Sequence, residues 1–358
     1  MENKKQPDVR ALLQQLRQEE GEDFVYDEAR IEAEAAQHTA LLANLPVKLL
    51  TILGGLLASL FLLGFLFSTG LYESHAAMLA VGLVFLAGSV WVARTAHNTM
   101  AETACVSFHL IGYLLFSLGF SGLVQNELAL YGALALLAVL ALFLATNSVL
   151  LFLAVLMLFG SLAAMLLYFR AFDFIHAYTG VTASLLTYLS LQEARLISKG
   201  AWFNRAYRPV RMGLVIALLA ALAVLVHPAL LSVQVAHYWV SGVLLIGAVL
   251  LVVAMVVRDA GLPPKMRVLV YGVCCLVLAP TVLSPAVPGA LLVLLTSFYI
   301  GHKPGFVLGL LSLVYFVILF YYDLQFTLLQ KSGILILSGA LFLGGALLLK
   351  KLLKHGMD

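Results

Sequence analysis

Four ionisable residues stand out in a chain that is otherwise strongly apolar: Asp173, His176, His227 and His237. Asp173 and His176 are one helical turn apart, and His227 and His237 flank the short segment between two apolar runs. A carboxylate with three imidazoles is the chemistry of a zinc site or of a proton relay. The H-x-x-x-H and H-E-x-x-H spacings are absent, so the alternative stays open that these are separate histidines bonded to water or lipid headgroups.

A second polar pair, Asp323 and Lys331, lies in the segment between the last two apolar runs. Opposite charges placed there could form a structural clasp across the connection. Glycines at every fourth position, Gly301, Gly305 and Gly309, predict close packing of one helix against a neighbour. His109 lies alone in an apolar run, and we expect it to hydrogen-bond to a neighbouring Ser, Thr or carbonyl group.

The elements that must position these residues are membrane helices. Of the 358 residues, 63% are hydrophobic and only 11% are charged, and the mean hydropathy is +1.03. Soluble domains are far more polar, at about 25% charged residues. Apolar runs of about 20 residues without the alternation of barrel strands predict helices, because backbone groups find no water in lipid. The expected fold is an all-α polytopic bundle in contact with the lipid bilayer.

Twelve such runs are expected as transmembrane helices. They are placed near 47–69, 76–93, 103–124, 128–145, 149–169, 174–192, 212–231, 237–257, 267–283, 285–301, 304–322 and 332–349. With both termini cytosolic, nineteen of the 21 cations fall on the cytosolic side. The run 174–192 is the least apolar. Three prolines make 267–301 either two short spans joined by a proline turn or a broken hairpin that re-enters the membrane.

Five parts follow along the chain: an acidic cytosolic head at 1–46, helices 1–6 at 47–192, a basic amphipathic cytosolic loop at 193–211, helices 7–12 at 212–349 and a basic tail at 350–358. The head holds ten of the 18 acids and has no apolar run long enough for a signal peptide. The cations and aromatic residues of the loop suit a headgroup-level position, and contact with the acidic head is the alternative. The net charge of +3 implies no nucleic-acid partner.

The segment that leads into the last run carries a family resemblance. It contains Tyr-Tyr-x-Leu, from Tyr321 to Leu324, and then Thr-Leu-Leu-x-Lys-Ser, from Thr327 to Ser332. With Ser297-Phe298-Tyr299 and Pro304-Gly305, it resembles the C-terminal signature of a bacterial multi-pass inner-membrane family of unknown function. The resemblance implies an inner-membrane location and a small membrane partner with a GDYxxLxY motif, typically encoded beside members of the family. It supplies no catalytic residue.

Two classes of function remain in view. The absence of long loops and the implied partner favour a structural or interaction subunit of a cell-envelope complex. Twelve spans and a basic central loop favour a secondary transporter of a small solute, with proton coupling as one form. No Ser/His/Asp spacing, phosphate loop or metal motif is present, and the three cysteines form no spaced pattern, so neither an enzyme nor a cofactor is expected. The sequence specifies no oligomeric state.

Overall fold

The structure is a computed structural model that describes residues 60–95, 99–227, 237–261 and 263–323, with Gly54, Leu57 and Ile336. These residues form helices and short connections and contain no strand. Numbered from the first helix with complete bounds, the α-helices are α1 His75–Thr95, α2 Thr99–Val124, α3 Glu127–Leu144, α4 Ser148–Tyr168, α5 Phe174–Leu191, α6 Glu193–Ile197, α7 Ala201–Val226, α8 Tyr238–Asp259, α9 Pro264–Leu278, α10 Ala286–Ile300 and α11 Lys303–Asp323.

Eight helices of the described part are long and apolar enough to cross a membrane. Large apolar side chains also lie on the outside of the bundle: Trp91 is 68% exposed and Phe143 is 67% exposed. An apolar exterior is stable only in lipid, so the protein is a multi-pass membrane protein. Helices α5 and α10 are not among the eight; α5 carries several hydroxyl groups, and α10 has only 15 residues.

Ten of the twelve predicted runs coincide with described helices or, at Pro264–Leu283, with a helix and its 3-10 extension. Run 47–69 is described from 60 to 69, with 60–68 helical, whereas of run 332–349 only Ile336 is described. The count of twelve and the cytosolic placement of both termini therefore remain predictions. Most of the predicted loop 193–211 is helical: it contains α6 and the first eleven residues of α7, which continues through Pro209.

Asparagine side chains and a glycine define several helix ends beside the short connections. Asn126 accepts a hydrogen bond from the backbone N–H of Ala129 at the start of α3, and Asn147 accepts one from Val149 at the start of α4. Both satisfy backbone donors that have no partner within the helix. Gly301 ends α10 with a φ of 73°, a conformation that favours glycine. Adjacent helices are consequently joined by sharp turns.

The α1–α2 hairpin is packed backbone to backbone. A Cβ atom added to Gly82 would lie 2.6 Å from the amide nitrogen of Phe116, and one added to Gly119 would lie 2.5 Å from that of Leu79. Gly112 faces the carbonyl oxygen of Gly82 in the same way, at 3.0 Å. Only glycine allows helix axes to approach so closely. The two helices therefore form a rigid pair.

Helices α5, α7, α8 and α10 form the centre of the remaining bundle. Their apolar side chains, including Leu186, Leu218, Leu245 and Leu292, belong to one buried cluster. Helix α10 lies deepest, and most of its residues are buried. At 15 residues its length is about 22 Å, less than the roughly 30 Å of a hydrocarbon core. The turn Ala279–Leu283 that precedes α10 has no buried residue, so only α10 itself is enclosed.

Candidate functional site

The buried face of α5 is mostly polar. Five of its seven buried residues carry a hydroxyl or an imidazole: His176, Thr179, Thr182, Thr187 and Ser190. This face is turned towards the central helices rather than outward. Polar groups at membrane depth are costly and usually mark a functional path or a structural pairing. We call these five residues the α5 polar face.

At one end of the α5 polar face, a hydrogen bond joins α5 to α8. His176 Nδ1 lies 2.6 Å from Ser241 Oγ in the first turn of α8. Both side chains are buried, at 6% and 0% exposure. The imidazole is thus held in one orientation inside the bundle.

A break in the next helical span lies beside this pair. After α9 the chain forms the 3-10 turn Ala279–Leu283, and α10 begins at Ala286. Gly242, the residue after Ser241, faces this turn so closely that an added Cβ would overlap the carbonyl oxygen of Val282. None of the five residues of this turn is buried. In transporters, irregular backbone at membrane depth lines binding sites.

The threonines along the face have their hydroxyl hydrogens engaged. Thr179, Thr182 and Thr187 donate to backbone oxygens one turn earlier, at 2.7, 2.7 and 2.8 Å. Thr296 of α10 does the same with Leu292 at 2.7 Å. A hydroxyl that donates its only hydrogen retains lone pairs. These residues can therefore still accept hydrogen bonds from a passing group.

The other end of the face contains a buried arginine. Arg211 is 5% exposed. Its Nη1 atom lies 3.9 Å from Glu193 Oε2 and donates to the hydroxyl of Tyr207 at 3.2 Å. The guanidinium carbon also lies 5.1 Å from the centre of the Tyr207 ring. The charge of Arg211 is thus balanced by one partly exposed carboxylate and stabilised by an aromatic ring.

His302 is a further basic residue near this end. It lies in the turn between α10 and α11, where its Nδ1 accepts a hydrogen bond from the backbone N–H of Gly305 at 3.1 Å. Burial lowers the pKa of His302 below the usual histidine value, and the charges of Arg211 and Arg208 lower it further. The neutral imidazole is therefore the form that fits this turn.

A family model described as "Domain of unknown function (DUF4401)" matches residues 44–352. The chain belongs to this family. No curated protein and no solved structure matches the chain. The DUF4401 match covers the entire described bundle, including both ends of the α5 polar face.

The residues of the predicted outer cluster have different surroundings in this DUF4401 protein. His176 is buried against Ser241, whereas His227 Nε2 lies 2.7 Å from the hydroxyl of Tyr315 on α11. Asp173 is exposed before α5 without a side-chain capping bond, and His237 is exposed before α8 with a φ of 58°. Within the described residues, no three His, Cys, Asp or Glu side chains are grouped as metal ligands.

The three glycines of the predicted packing series also have different surroundings. An alanine Cβ at Gly309 would lie 2.7 Å from the amide nitrogen of Leu294, so α10 and α11 touch there. At Gly305 it would overlap Ser297 of α10. Gly301 has no atom within 4 Å of such a Cβ and serves as the end of α10.

Two further sequence expectations have different outcomes. His109 Nδ1 lies 2.8 Å from Ser89 Oγ, which confirms the expected bond to a neighbouring hydroxyl. The clasp between Asp323 and Lys331 lies outside the described residues, because Lys331 and the side chain of Asp323 are not described. It stays a prediction.

Sequence reasoning missed Ser241 and the burial of Arg211. A lone serine in an apolar run carries no positional signal, and Arg211 was grouped with the basic interfacial segment. The one available signal was the low hydropathy of run 174–192. That run became α5, which the DUF4401 fold surrounds with more apolar helices.

Proposed function

We propose that this protein is a secondary transporter of the bacterial inner membrane, in which a small polar solute moves along the α5 polar face. The observation that carries the proposal is the burial of five polar side chains on one helix at the centre of an apolar bundle. Packing helices in lipid also carry serine, threonine and histidine, which there bond one helix to another. The three threonines of this face donate within their own helix instead.

The chemistry of the face suits a solute that donates hydrogen bonds. The threonine hydroxyls keep lone pairs after donating to their own helix. The break before α10 leaves irregular backbone beside Ser241. Such broken helices provide binding groups at mid-membrane in known transporter folds.

His176 is the residue through which transport would be coupled to protons. Histidine exchanges a proton near neutral pH more readily than other side chains. Its bond to Ser241 joins α5 to α8, so protonation at Nδ1 would exclude Ser241 as a donor and change how the two helices are held. At the opposite end, Glu193 neutralises Arg211, and release of that pair would expose a cation to an incoming anionic or polar group.

The experiment is solute-induced proton movement in proteoliposomes with an acidic interior. Amino acids, sugars, organic acids and cations are added in turn while a pH-sensitive dye reports the internal pH. We expect at least one class to change the internal pH with the wild type and not with His176→Gln, upward for solute–proton exchange and downward for co-transport. His227→Gln is the matched control, because His227 bonds to Tyr315 away from the face. No response to any class, or an equal response with His176→Gln, would contradict the proposal.

The proposal includes the orientation of the chain in the membrane. Twelve spans with both termini in the cytosol place Arg211 and His302 at the cytosolic end of the face and His176 at the periplasmic end. The distribution of cations along the sequence supports this orientation.

A second candidate is an interaction subunit of a cell-envelope complex. The observation that favours it is the acidic head, because the family match begins at residue 44 and leaves almost all of that head outside the shared part. The partner implied by the resemblance is a small membrane protein with a GDYxxLxY motif. Co-expression of the two proteins, followed by affinity purification with and without residues 2–43, tests it. A stoichiometric complex that needs the head supports a subunit, and separate elution contradicts it.

A further inference from the structure

A cavity of about 350 Å³ lies between α1, α2 and α3, away from the α5 polar face. Its walls are mainly apolar and include Leu86, Leu137 and Leu140. Three polar side chains, those of Arg94, His109 and Tyr113, also line it. The cavity is partly open towards the lipid, since Leu140 is 46% exposed and Trp91, on its wall, is 68% exposed.

Two polar atoms of the side chains that line the cavity lack hydrogen-bond partners. His109 Nε2 and the Tyr113 hydroxyl are buried without a partner in the described part of the chain. The side chains are 1% and 4% exposed. A buried polar group without a partner is destabilising, and natural proteins contain few of them. Two on adjacent turns of one helix point to a ligand that is bound there.

The hydrogen bonds of Ser89 fix which atom of His109 carries the proton. Ser89 Oγ lies 2.7 Å from the carbonyl oxygen of Leu86, which can only accept. The single hydroxyl hydrogen is therefore donated to Leu86, and Ser89 Oγ must accept from His109 Nδ1 at 2.8 Å. In the neutral ring the proton is then on Nδ1, and Nε2 is left as an acceptor without a partner, on a ring that lines the cavity.

Tyr113 supplies the complementary group. Its ring centre lies 4.9 Å from that of His109, and the two planes are nearly perpendicular, at 88°. The phenol hydroxyl can donate, so the two neighbouring rings that line the cavity carry one acceptor and one donor. A single hydroxyl group on a ligand satisfies both: it donates to His109 Nε2 and accepts from Tyr113.

We propose that this cavity binds a small, lipid-soluble molecule with one hydroxyl group on an apolar body. The hydroxyl lies between His109 and Tyr113, and the apolar body packs on the leucines of α1 and α3. Arg94 limits the cavity at one end, because its Nε and Nη2 atoms donate to the carbonyl oxygen of Leu144 at 3.2 and 2.7 Å and join α1 to α3. The volume is near the lower end for ligand sites, which favours one ring or a short chain.

The hydroxyl could come from a phenol, such as the head of a quinol, or from an aliphatic alcohol. The proposal does not depend on the transport path, since the cavity is built from other helices. Tyr113→Phe is the informative variant because it removes only the hydroxyl. Tyr178→Phe is its matched control: Tyr178 is a tyrosine of α5 whose hydroxyl donates to the carbonyl oxygen of Phe159 at 3.1 Å.

The test is calorimetric titration of the full-length protein in lipid nanodiscs, with binding to protein-free nanodiscs subtracted. The probes are 4-butylphenol, its methyl ether 4-butylanisole and 1-octanol. We expect saturable binding of butylphenol that is about tenfold tighter than that of butylanisole, since the ether oxygen has no hydrogen to donate to His109 Nε2. Octanol binding equal to that of butylphenol would identify an aliphatic alcohol as the ligand class, and weaker binding would identify a phenol.

The variants separate binding from folding. Tyr113→Phe should weaken butylphenol binding about five- to tenfold and raise the unfolding temperature of the ligand-free protein, because a buried group without a partner is removed. Tyr178→Phe should lower the unfolding temperature and leave butylphenol affinity unchanged. Equal affinity for the phenol and its ether, absence of saturable binding, or a lower unfolding temperature for Tyr113→Phe would each overturn the proposal.

Discussion

His176 Nδ1 lies 2.6 Å from Ser241 Oγ, and this hydrogen bond joins the first turn of α5 to the first turn of α8. Ser241→Ala would leave the imidazole nitrogen buried without this partner. We expect the free energy of unfolding to fall by about 1–3 kcal/mol. Thermal unfolding in detergent micelles measures the change.

Ser161→Ala is the control for that substitution. Ser161 is also buried, but its hydroxyl donates to the backbone oxygen of Met157 within α4. Its loss leaves no side chain without a partner, so the unfolding temperature should change much less. Equal effects of the two substitutions would show that the bond between His176 and Ser241 contributes no more than a bond within one helix.

Gly309→Ala tests the contact between α10 and α11. The new Cβ would lie 2.7 Å from the amide nitrogen of Leu294, so the helices must separate. We expect a loss of about 1–3 kcal/mol in the free energy of unfolding. Gly247→Ala in α8 is the matched control, because no atom lies within 4 Å of its added Cβ. That change should be neutral or stabilising, by up to about 1 kcal/mol from helix propensity. A stable Gly309→Ala variant would exclude close packing at this point.

The lowered pKa of His302 predicts that the folded protein loses stability at acid pH. Its pKa in the folded protein lies below the ordinary value of 6.5, chiefly through burial and then through Arg211 and Arg208. The unfolded chain therefore takes up a proton first. Stability is complete above about pH 6.5 and decreases as the pH falls from there through the lower folded-state pKa.

His302→Asn provides the measurement. The asparagine side chain can still accept the hydrogen bond from Gly305 but does not titrate. Unfolding temperatures measured between pH 7.5 and 5 should fall less steeply for this variant than for the wild type. Parallel curves would show that His302 has an ordinary pKa in the folded protein.

Reporter fusions test the orientation of the chain in the membrane. With twelve spans and a cytosolic N-terminus, a fusion at Gly200 should report the cytosol and one at Gln125 the periplasm. The reason is that nineteen of the 21 cations then lie on the cytosolic side. The same signal from both fusions would contradict this topology.

Hydropathy predicted most of the fold because lipid imposes length and composition on each helix. It placed ten runs that coincide with described helical segments, and it singled out 174–192 as the weakest. It could not show that this run has a buried polar face, because burial by neighbouring helices depends on contacts between distant segments. From hydropathy alone this run is a poor candidate for a transmembrane helix. In the structure it is a helix whose buried face is polar.

The candidate site was less predictable for the same reason. His176 could be selected by its type, but its partner Ser241 lies 65 residues away and looks like any serine in an apolar run. Arg211 lies ten residues inside α7, so it is buried although its neighbours Arg205 and Arg208 are exposed. Gly301 shares the four-residue spacing of Gly305 and Gly309, and only its φ angle shows that it ends a helix.

The glycine contacts of α1 and α2 have a consequence for how the protein is made. Where backbones meet at Gly82 and Gly119, docking immobilises few side chains and so loses little conformational entropy. The two helices are also consecutive, so they emerge from the ribosome together. The pair can therefore assemble in the bilayer before the central helices are synthesised, and it then presents a finished surface against which α3 folds.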